Sequence, residues 1–296
     1  MAAILGFCGT GLMGAPMVGR LLKAGHCVHV WNRTPNKAKQ LAQDGAILHE
    51  SPSALAAHCD IIFLCLGSEE AVTTTVFGQN GLSQSGRALI VDHSSLSPQT
   101  TQNLAQQWMA STGKGWIDAP VSGGVAGAQS GTLTIMAGGQ ALDIAYVQPY
   151  IQAYAARFTH MGPTGAGQVT KLCNQTIVAA TVTAIAEAVA LADKSGIDSA
   201  KLHQALAGGW ADSTLLQLFV PRMTGPVHDK LGAVNTMAKD VNNAVALAAQ
   251  TNAGLRVLQA VQNSFQHAQE LGLSEHDLST IVQVAQSASA LPSEHP

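Results

Sequence analysis

The segment that most constrains this chain is Ala3-Ile4-Leu5-Gly6-Phe7-Cys8-Gly9-Thr10-Gly11-Leu12-Met13-Gly14, an apolar run that passes without a break into a GxGxxG element. The run predicts a buried strand, and the residues after Gly14 carry a helical pattern. The motif therefore sits in the strand–turn–helix setting that gives it meaning. There Gly9 permits a tight turn, Gly11 lets the backbone approach a pyrophosphate, and Gly14 lets helix and strand pack closely. The helix aims its first amides at the phosphates. A chain built on this segment is expected to hold a dinucleotide, with Gly9, Thr10, Gly11, Leu12, Met13 and Gly14 as the cradle.

The next strand, His26–Trp31, ends in Asn32-Arg33-Thr34, where a site selective for NAD places an acid near the ribose hydroxyl. No carboxylate stands there. With Asn32 in that place nothing repels a 2′-phosphate, and the Arg33 guanidinium can hold one by bidentate, charge-assisted hydrogen bonds. The expected cofactor is NADP(H) in preference to NAD(H), with Asn32, Arg33 and Thr34 near its ribose.

Further apolar runs at Cys59–Leu66, Arg87–Asp92, Gly115–Asp118, Thr132–Ala137 and Arg157–Met161 predict strands. Helical patterns over 35–43, 52–58, 69–76 and 98–110 alternate with the earlier ones. Such alternation implies right-handed crossovers into a parallel sheet. The fold class expected is α/β, a Rossmann-like doubly wound parallel sheet followed by an all-helical domain. A chain of 296 residues exceeds what one core usually organises. The turn-rich Gly162-Pro163-Thr164-Gly165-Ala166-Gly167 marks the boundary, giving a dinucleotide-binding domain at 1–163 and a helical substrate and oligomerisation domain at 164–296. The latter opens with a long helix from about Gly167 to Lys194, followed by helices over 199–207, 212–222, 235–251, 254–270 and 275–287. Leu291–Pro296 reads as a frayed tail.

Fifteen basic and eighteen acidic residues, with no basic run, argue against a nucleic-acid partner. Charged residues make up only 11% of the chain against 47% hydrophobic, so part of the surface is expected to lie against another subunit of a homo-oligomer. Thr176–Ala192 is apolar but interrupted by Glu187 and flanked by polar residues, which argues for a buried helix rather than a membrane span. The five cysteines form no CxxC pair and no metal-ligand spacing, and read as small buried hydrophobes. With no charged leader before an apolar segment and cleavage site, a cytoplasmic, reducing setting is expected.

Three polar clusters carry the chemistry. Asp118-Ala119-Pro120-Val121-Ser122-Gly123-Gly124 follows a strand, at the sheet edge where open α/β sheets bind ligands. The Ser122 hydroxyl with the Gly123 and Gly124 amides suits a small carboxylate. Lys171 and Asn174 lie three residues apart in the first turns of the long helix, on one face. The positive helix end and partial burial disfavour the ammonium form of Lys171, which eases proton exchange. As hydride reaches a carbonyl carbon, charge grows on oxygen, and a nearby ammonium both stabilises it and donates the proton, so no metal is called for. Lys239-Asp240 forms the third cluster, in a helix of small and apolar residues.

These motifs, in this order, resemble the β-hydroxyacid dehydrogenase family, which includes 3-hydroxyisobutyrate dehydrogenases, tartronate semialdehyde (2-hydroxy-3-oxopropionate) reductases and glyoxylate/succinic semialdehyde reductases. The likeness runs through GTGLMGAPM at 9–17, VDHSSLSP at 91–98, DAPVSGGVAGAQSGTLTIMAGG at 118–139, GAGQVTKLCNQ at 165–175 and AKD at 238–240. The resemblance implies a proton-transferring Lys171, substrate contacts from Ser122, Gly123, Gly124 and Asn174, and cofactor contacts from the glycine loop, Leu66, Gly67, Ser95 and Lys239. It also implies a homo-oligomer, dimer or tetramer, and interconversion of a small aldehyde acid with its hydroxy acid. Ala207–Thr214 is similar to tartronate semialdehyde reductases, whereas VWNRT at 30–34 is more like the NADPH-linked glyoxylate/succinic semialdehyde reductases. Imine reduction on a related scaffold and NADPH binding without turnover are the rival readings, and Lys171 argues against both.

Overall fold

The structure, a computed structural model, describes residues 2–227 and 230–287. The expected tail at Leu291–Pro296 lies outside them. The chain divides into two compact units, the first running to Lys171 and the second beginning at Leu172.

In the first unit, β1 (Leu5–Cys8), β2 (Val28–Trp31), β3 (Ile47–Leu48), β4 (Ile61–Leu64), β5 (Leu89–Asp92) and β6 (Trp116–Asp118) form a parallel array in the order β3-β2-β1-β4-β5-β6. Leu5, Phe7, Ile61, Phe63, Val91 and Ile117 are fully buried, as apolar strands covered on both faces must be. The crossovers are α1 (Gly14–Lys23), α2 (Asn36–Gln43), α3 (Pro52–Ala56), α4 (Glu69–Phe77) and α5 (Pro98–Thr112). Three of them start where a serine hydroxyl accepts a backbone N–H: Ser51 from Ala54, Ser68 from Ala71 and Ser97 from Thr100. Pro52 and Pro98 stand at the first helical position, where a missing N–H costs nothing. Strand order reverses between β1 and β4, so a crevice opens at their carboxyl ends, the switch point at which open α/β sheets take ligands.

The far edge of the sheet adds an antiparallel return to the expected parallel array. Beyond β6 come β7 (Val121–Ser122), α6 (Gly124–Ser130), β8 (Leu133–Gly138), α7 (Ala141–Ile151) and β9 (Ala155–Gly162). Here β8 runs antiparallel to both β6 and β7 and parallel to β9. Pro120, which has no N–H to give a ladder, separates β6 from β7, while its carbonyl accepts from Met136. The short return through α6 then brings β8 back antiparallel.

The 29-residue helix α8 (Ala166–Lys194) begins in the first unit. Within the second unit its later turns, α10 (Thr214–Thr224), α11 (Val234–Thr251) and α12 (Arg256–Glu270) enclose a core that includes Val182, Val189, Phe219, Val220, Val241, Val261 and Phe265. Before α10, the predicted helix at 199–207 resolves into a 3₁₀ turn, Ser199–Lys201, and one short helix, α9 (Leu202–Ala205). The predicted 275–287 helix likewise becomes a 3₁₀ turn, Leu278–Ile281, followed by α13 (Val282–Gln286). Among the described residues α8 is the one helix long and apolar enough to span a bilayer, with a most apolar window of mean hydropathy 1.6. That is a matter of length and composition only, which a core helix also meets, and half of this stretch is buried inside the protein. The cysteine expectation also needs correction. Cys8 and Cys59 are buried and Cys65 half-buried, but Cys27 and Cys173 are exposed, since Cys27 precedes β2 and Cys173 lies on an open face of α8.

Candidate active site

The glycine loop divides its labour among its glycines. Gly9 takes φ +100°, a left-handed conformation that favours glycine, and a Cβ there would strike the Cys65 carbonyl. A Cβ on Gly14 would strike the Gly9 carbonyl oxygen and come within 2.9 Å of the Phe7 ring, so only glycine lets α1 leave the strand this closely. A Cβ on Gly11 would meet nothing within 4 Å. Tight packing behind the loop and open space over Gly11 make the cradle that a pyrophosphate fits. Leu12 is exposed, and Thr10 is buried with its backbone N–H donating to Asn32 Oδ1 at 3.0 Å. Asn32 Nδ2 donates to the Thr34 carbonyl at 2.9 Å. Asn32 therefore fastens the loop after β2 to the glycine loop, while the Arg33 side chain stands exposed beside it.

At the carboxyl end of β4 the Leu66 N–H donates to Ser94 Oγ at 3.0 Å, tying the exposed Gly67 turn to the loop after β5 that carries half-buried Ser95. That loop is held by buried polar groups. Asp92 Oδ1 accepts from the Ser94 N–H at 2.9 Å, whereas Asp92 Oδ2 is buried with no hydrogen-bond partner. The ring of His93 lies 2.6 Å from the Ala119 carbonyl through Nδ1 and 2.9 Å from the Tyr154 hydroxyl through Nε2. Because a carbonyl only accepts, Nδ1 carries the proton and Nε2 accepts from Tyr154. Burial pushes His93 down to about 4, so the ring is neutral at physiological pH.

The substrate-side loop follows β7. Gly123 and Gly124 take consecutive positive φ values of +121° and +61°, and Ser122 is half-buried beside them. Lys171 Nζ donates to the Val121 carbonyl at 2.9 Å, which brings the amine to the strand that leads into Ser122. The start of α8 is capped by Asp118, whose Oδ1 accepts from the Gly165 N–H at 2.7 Å and whose Oδ2 accepts from the Gln168 N–H at 2.8 Å.

In the second unit Asn174 Nδ2 donates to Gln175 Oε1 at 2.8 Å, and Gln175 Nε2 donates to Asp240 Oδ2 at 2.7 Å. Lys239 Nζ lies 3.4 Å from Asp240 Oδ1 as an ion pair, with the carboxylate almost fully buried. Asn174 and Lys239 are thus joined through Gln175 and Asp240.

Sequence reasoning passed over the buried Asp92, His93 and Gln168, and it named Asp118 and Asp240 within their clusters without the contacts that join Asp118 to Gln168 and Asp240, through Gln175, to Asn174. The available signal was an aspartate–histidine–serine run closing an apolar strand, which a simple core strand does not need. Burial pushes Asp92 up to about 7, with Asp118 adding to the shift and the Ser94 contacts opposing it. A carboxyl whose folded pKa lies above its unfolded value contributes stability below about pH 4 that is lost as pH rises through 7. Asp92→Asn keeps the shape without that loss. Its Tm should therefore gain on the wild type steadily from pH 4 to 7 and level off above. A Tm difference constant across pH 4 to 8.5 in thermal melts would contradict a neutral Asp92.

Comparison with known proteins places these features in a family. Residues 4–162 match the NAD binding domain of 6-phosphogluconate dehydrogenase, and residues 165–285 match the NAD-binding domain of NADP-dependent 3-hydroxyisobutyrate dehydrogenase. A 2-hydroxy-3-oxopropionate reductase of Escherichia coli is 36% identical over 94% of this chain and 96% of its own. A 3-hydroxyisobutyrate dehydrogenase of Pseudomonas aeruginosa is 35% identical over 70% of this chain and 71% of its own. The solved 3-hydroxyisobutyrate dehydrogenase of Mycobacterium tuberculosis with L-serine superposes with a TM-score of 0.84 at 27% identity, covering 97% of this chain and all of that one. Both halves of the sequence are matched and relatives align along nearly its whole length: the chain belongs to the β-hydroxyacid dehydrogenase family.

Proposed function

We propose that this chain is an NADP(H)-dependent oxidoreductase that interconverts a small aldehyde acid and its hydroxy acid, of the 2-hydroxy-3-oxopropionate reductase or 3-hydroxyisobutyrate dehydrogenase type. The observation that carries the reading is the Lys171 amine held 2.9 Å from the Val121 carbonyl, one residue from the Ser122–Gly124 loop. When bound, the dihydronicotinamide supplies hydride to a carbonyl carbon. The Lys171 ammonium stabilises the charge that grows on the substrate oxygen and gives it a proton. Ser122, Gly123 and Gly124 hold the carboxylate, and Asn174, fixed through Gln175, orients the substrate. Gly9 to Gly14, Asn32, Arg33, Thr34, Leu66, Gly67, Ser95 and Lys239 contact the dinucleotide.

The proposed division of the chain, 1–163 for the cofactor and 164–296 for substrate and assembly, is supported by family matches that end at 162 and resume at 165. A homo-oligomer is supported by the apolar side chains of Ile177 and Leu191, about two-thirds exposed on α8. Five free thiols, two of them exposed, support a reducing, cytoplasmic setting.

The reaction is tested by NADPH and NADH oxidation with tartronate semialdehyde, succinic semialdehyde, glyoxylate and the 3-hydroxyisobutyrate pair. Turnover is expected with at least one, faster with NADPH. Arg33→Ala should lower kcat/KM for NADPH about tenfold, some 1.4 kcal/mol, and leave that for NADH within twofold. An unchanged NADPH preference in the variant rejects the role of Arg33.

A further inference from the structure

One buried amide joins the two loops of the first unit that the chemistry requires. Gln168 is 1% exposed, one helical turn before Lys171. Its Nε2 donates to the Ser94 carbonyl at 2.8 Å, and its Oε1 accepts from the Leu96 N–H at 3.2 Å. Its own backbone N–H donates to Asp118 Oδ2 at 2.8 Å. The side chain thus brackets Ser95 from both sides, while its backbone belongs to the turn that leads to Lys171. We propose that Gln168 is a positioning residue, a clamp that fixes the Ser94–Leu96 loop against the first turn of α8 and so sets the spacing between that loop and the Lys171 amine. The role rests on the reading of Lys171 as proton donor.

The chemistry of the clamp is specific. The loop offers one carbonyl and one N–H, two residues apart, so the group between them must donate and accept side by side. An amide does both and a methyl neither. An ionised carboxylate satisfies Leu96 but faces the Ser94 carbonyl with a second acceptor, whereas a protonated carboxyl again does both. The titratable neighbours are Asp92, bonded to the Ser94 N–H, Asp118, bonded to the Gln168 N–H, and His93 between Asp92 and Ser94. Burial and the nearby Asp118 favour protonation of a carboxyl introduced here.

Gln168→Ala is expected to lower kcat at least tenfold with the NADPH Kd, read by cofactor fluorescence, within threefold. Amide hydrogen exchange at Leu96 should speed up at least tenfold. Gln168→Glu should match that kcat loss at pH 8 and recover toward the wild type at pH 6, a rescue that neither the wild type nor Gln168→Ala shows. It also provides the test if the alanine variant does not fold. Unchanged Leu96 exchange would overturn the clamp, and faster exchange with an undiminished kcat and no acid rescue would overturn the positioning role. Absence of aldehyde-dependent turnover in the wild type would instead overturn the reductase reading.

Discussion

Replacing Lys171 with alanine is expected to lower kcat at least 100-fold, about 2.7 kcal/mol of barrier, while NADPH binds within threefold of the wild type. The direction follows from the site. Lys171 donates to the Val121 carbonyl next to the Ser122–Gly124 loop, and the buried His93 is held neutral between Ala119 and Tyr154. Asp92 and Asp118 are directed at backbone amides of Ser94, Gly165 and Gln168. Lys171→Arg separates charge from proton supply, because a guanidinium keeps the positive charge but does not give up its proton. It should stay below a tenth of wild-type kcat. A loss of less than tenfold in Lys171→Ala would remove the general acid from the mechanism.

The second large effect lies at the glycine loop, where two glycines three residues apart do different work. Gly14→Ala forces a Cβ against the Gly9 carbonyl, which is backbone and cannot step aside, so the loop must move. The NADPH Kd should rise at least tenfold, about 1.4 kcal/mol, with a lowered Tm in the absence of cofactor. Gly11→Ala meets no atom of the protein within 4 Å. It should leave the cofactor-free Tm within about 1 °C and still weaken NADPH, because the added methyl occupies the space the pyrophosphate needs. Isothermal titration and thermal melts of the two variants side by side check this. Equal Tm losses, or unaltered binding in Gly11→Ala, would contradict the assignment.

The first part of the fold was legible because its signals are local. Apolar runs such as Ile61–Leu64 and Leu89–Asp92 form strands from their own composition, and the helical patterns over 52–58 and 98–110 begin at the Ser51-Pro52 and Ser97-Pro98 pairs that start α3 and α5. At the far edge β8 and β9 were legible in the same way, but β7, α6 and α7 were not. β7 is two residues long, α6 is rich in glycine and alanine, and α7 carries Pro149 inside it, so none shows a periodicity that stands out. The antiparallel return of β8 depends on a tertiary pairing across the Pro120 break. The site divides likewise. Motif spacing pointed to Lys171 and Ser122, whereas Gln168, Asp92 and Gln175 are single polar residues whose importance lies in partners up to 74 residues away, as between Gln168 and Ser94. Asn32 shows the limit from another side: read as a neutral substitute for an acid, it also holds the glycine loop in place through Thr10.

The reaction itself is tested most directly by following the hydride. NADPH carrying deuterium at both positions of the reactive nicotinamide carbon is incubated with the protein and the aldehyde acid it turns over best, and the product is read by mass spectrometry. The expected product is the hydroxy acid with one deuterium on the former carbonyl carbon, formed in step with cofactor oxidation. Bound NADPH with no labelled hydroxy acid from any aldehyde tried would show a dinucleotide-binding protein that does not carry out this reduction.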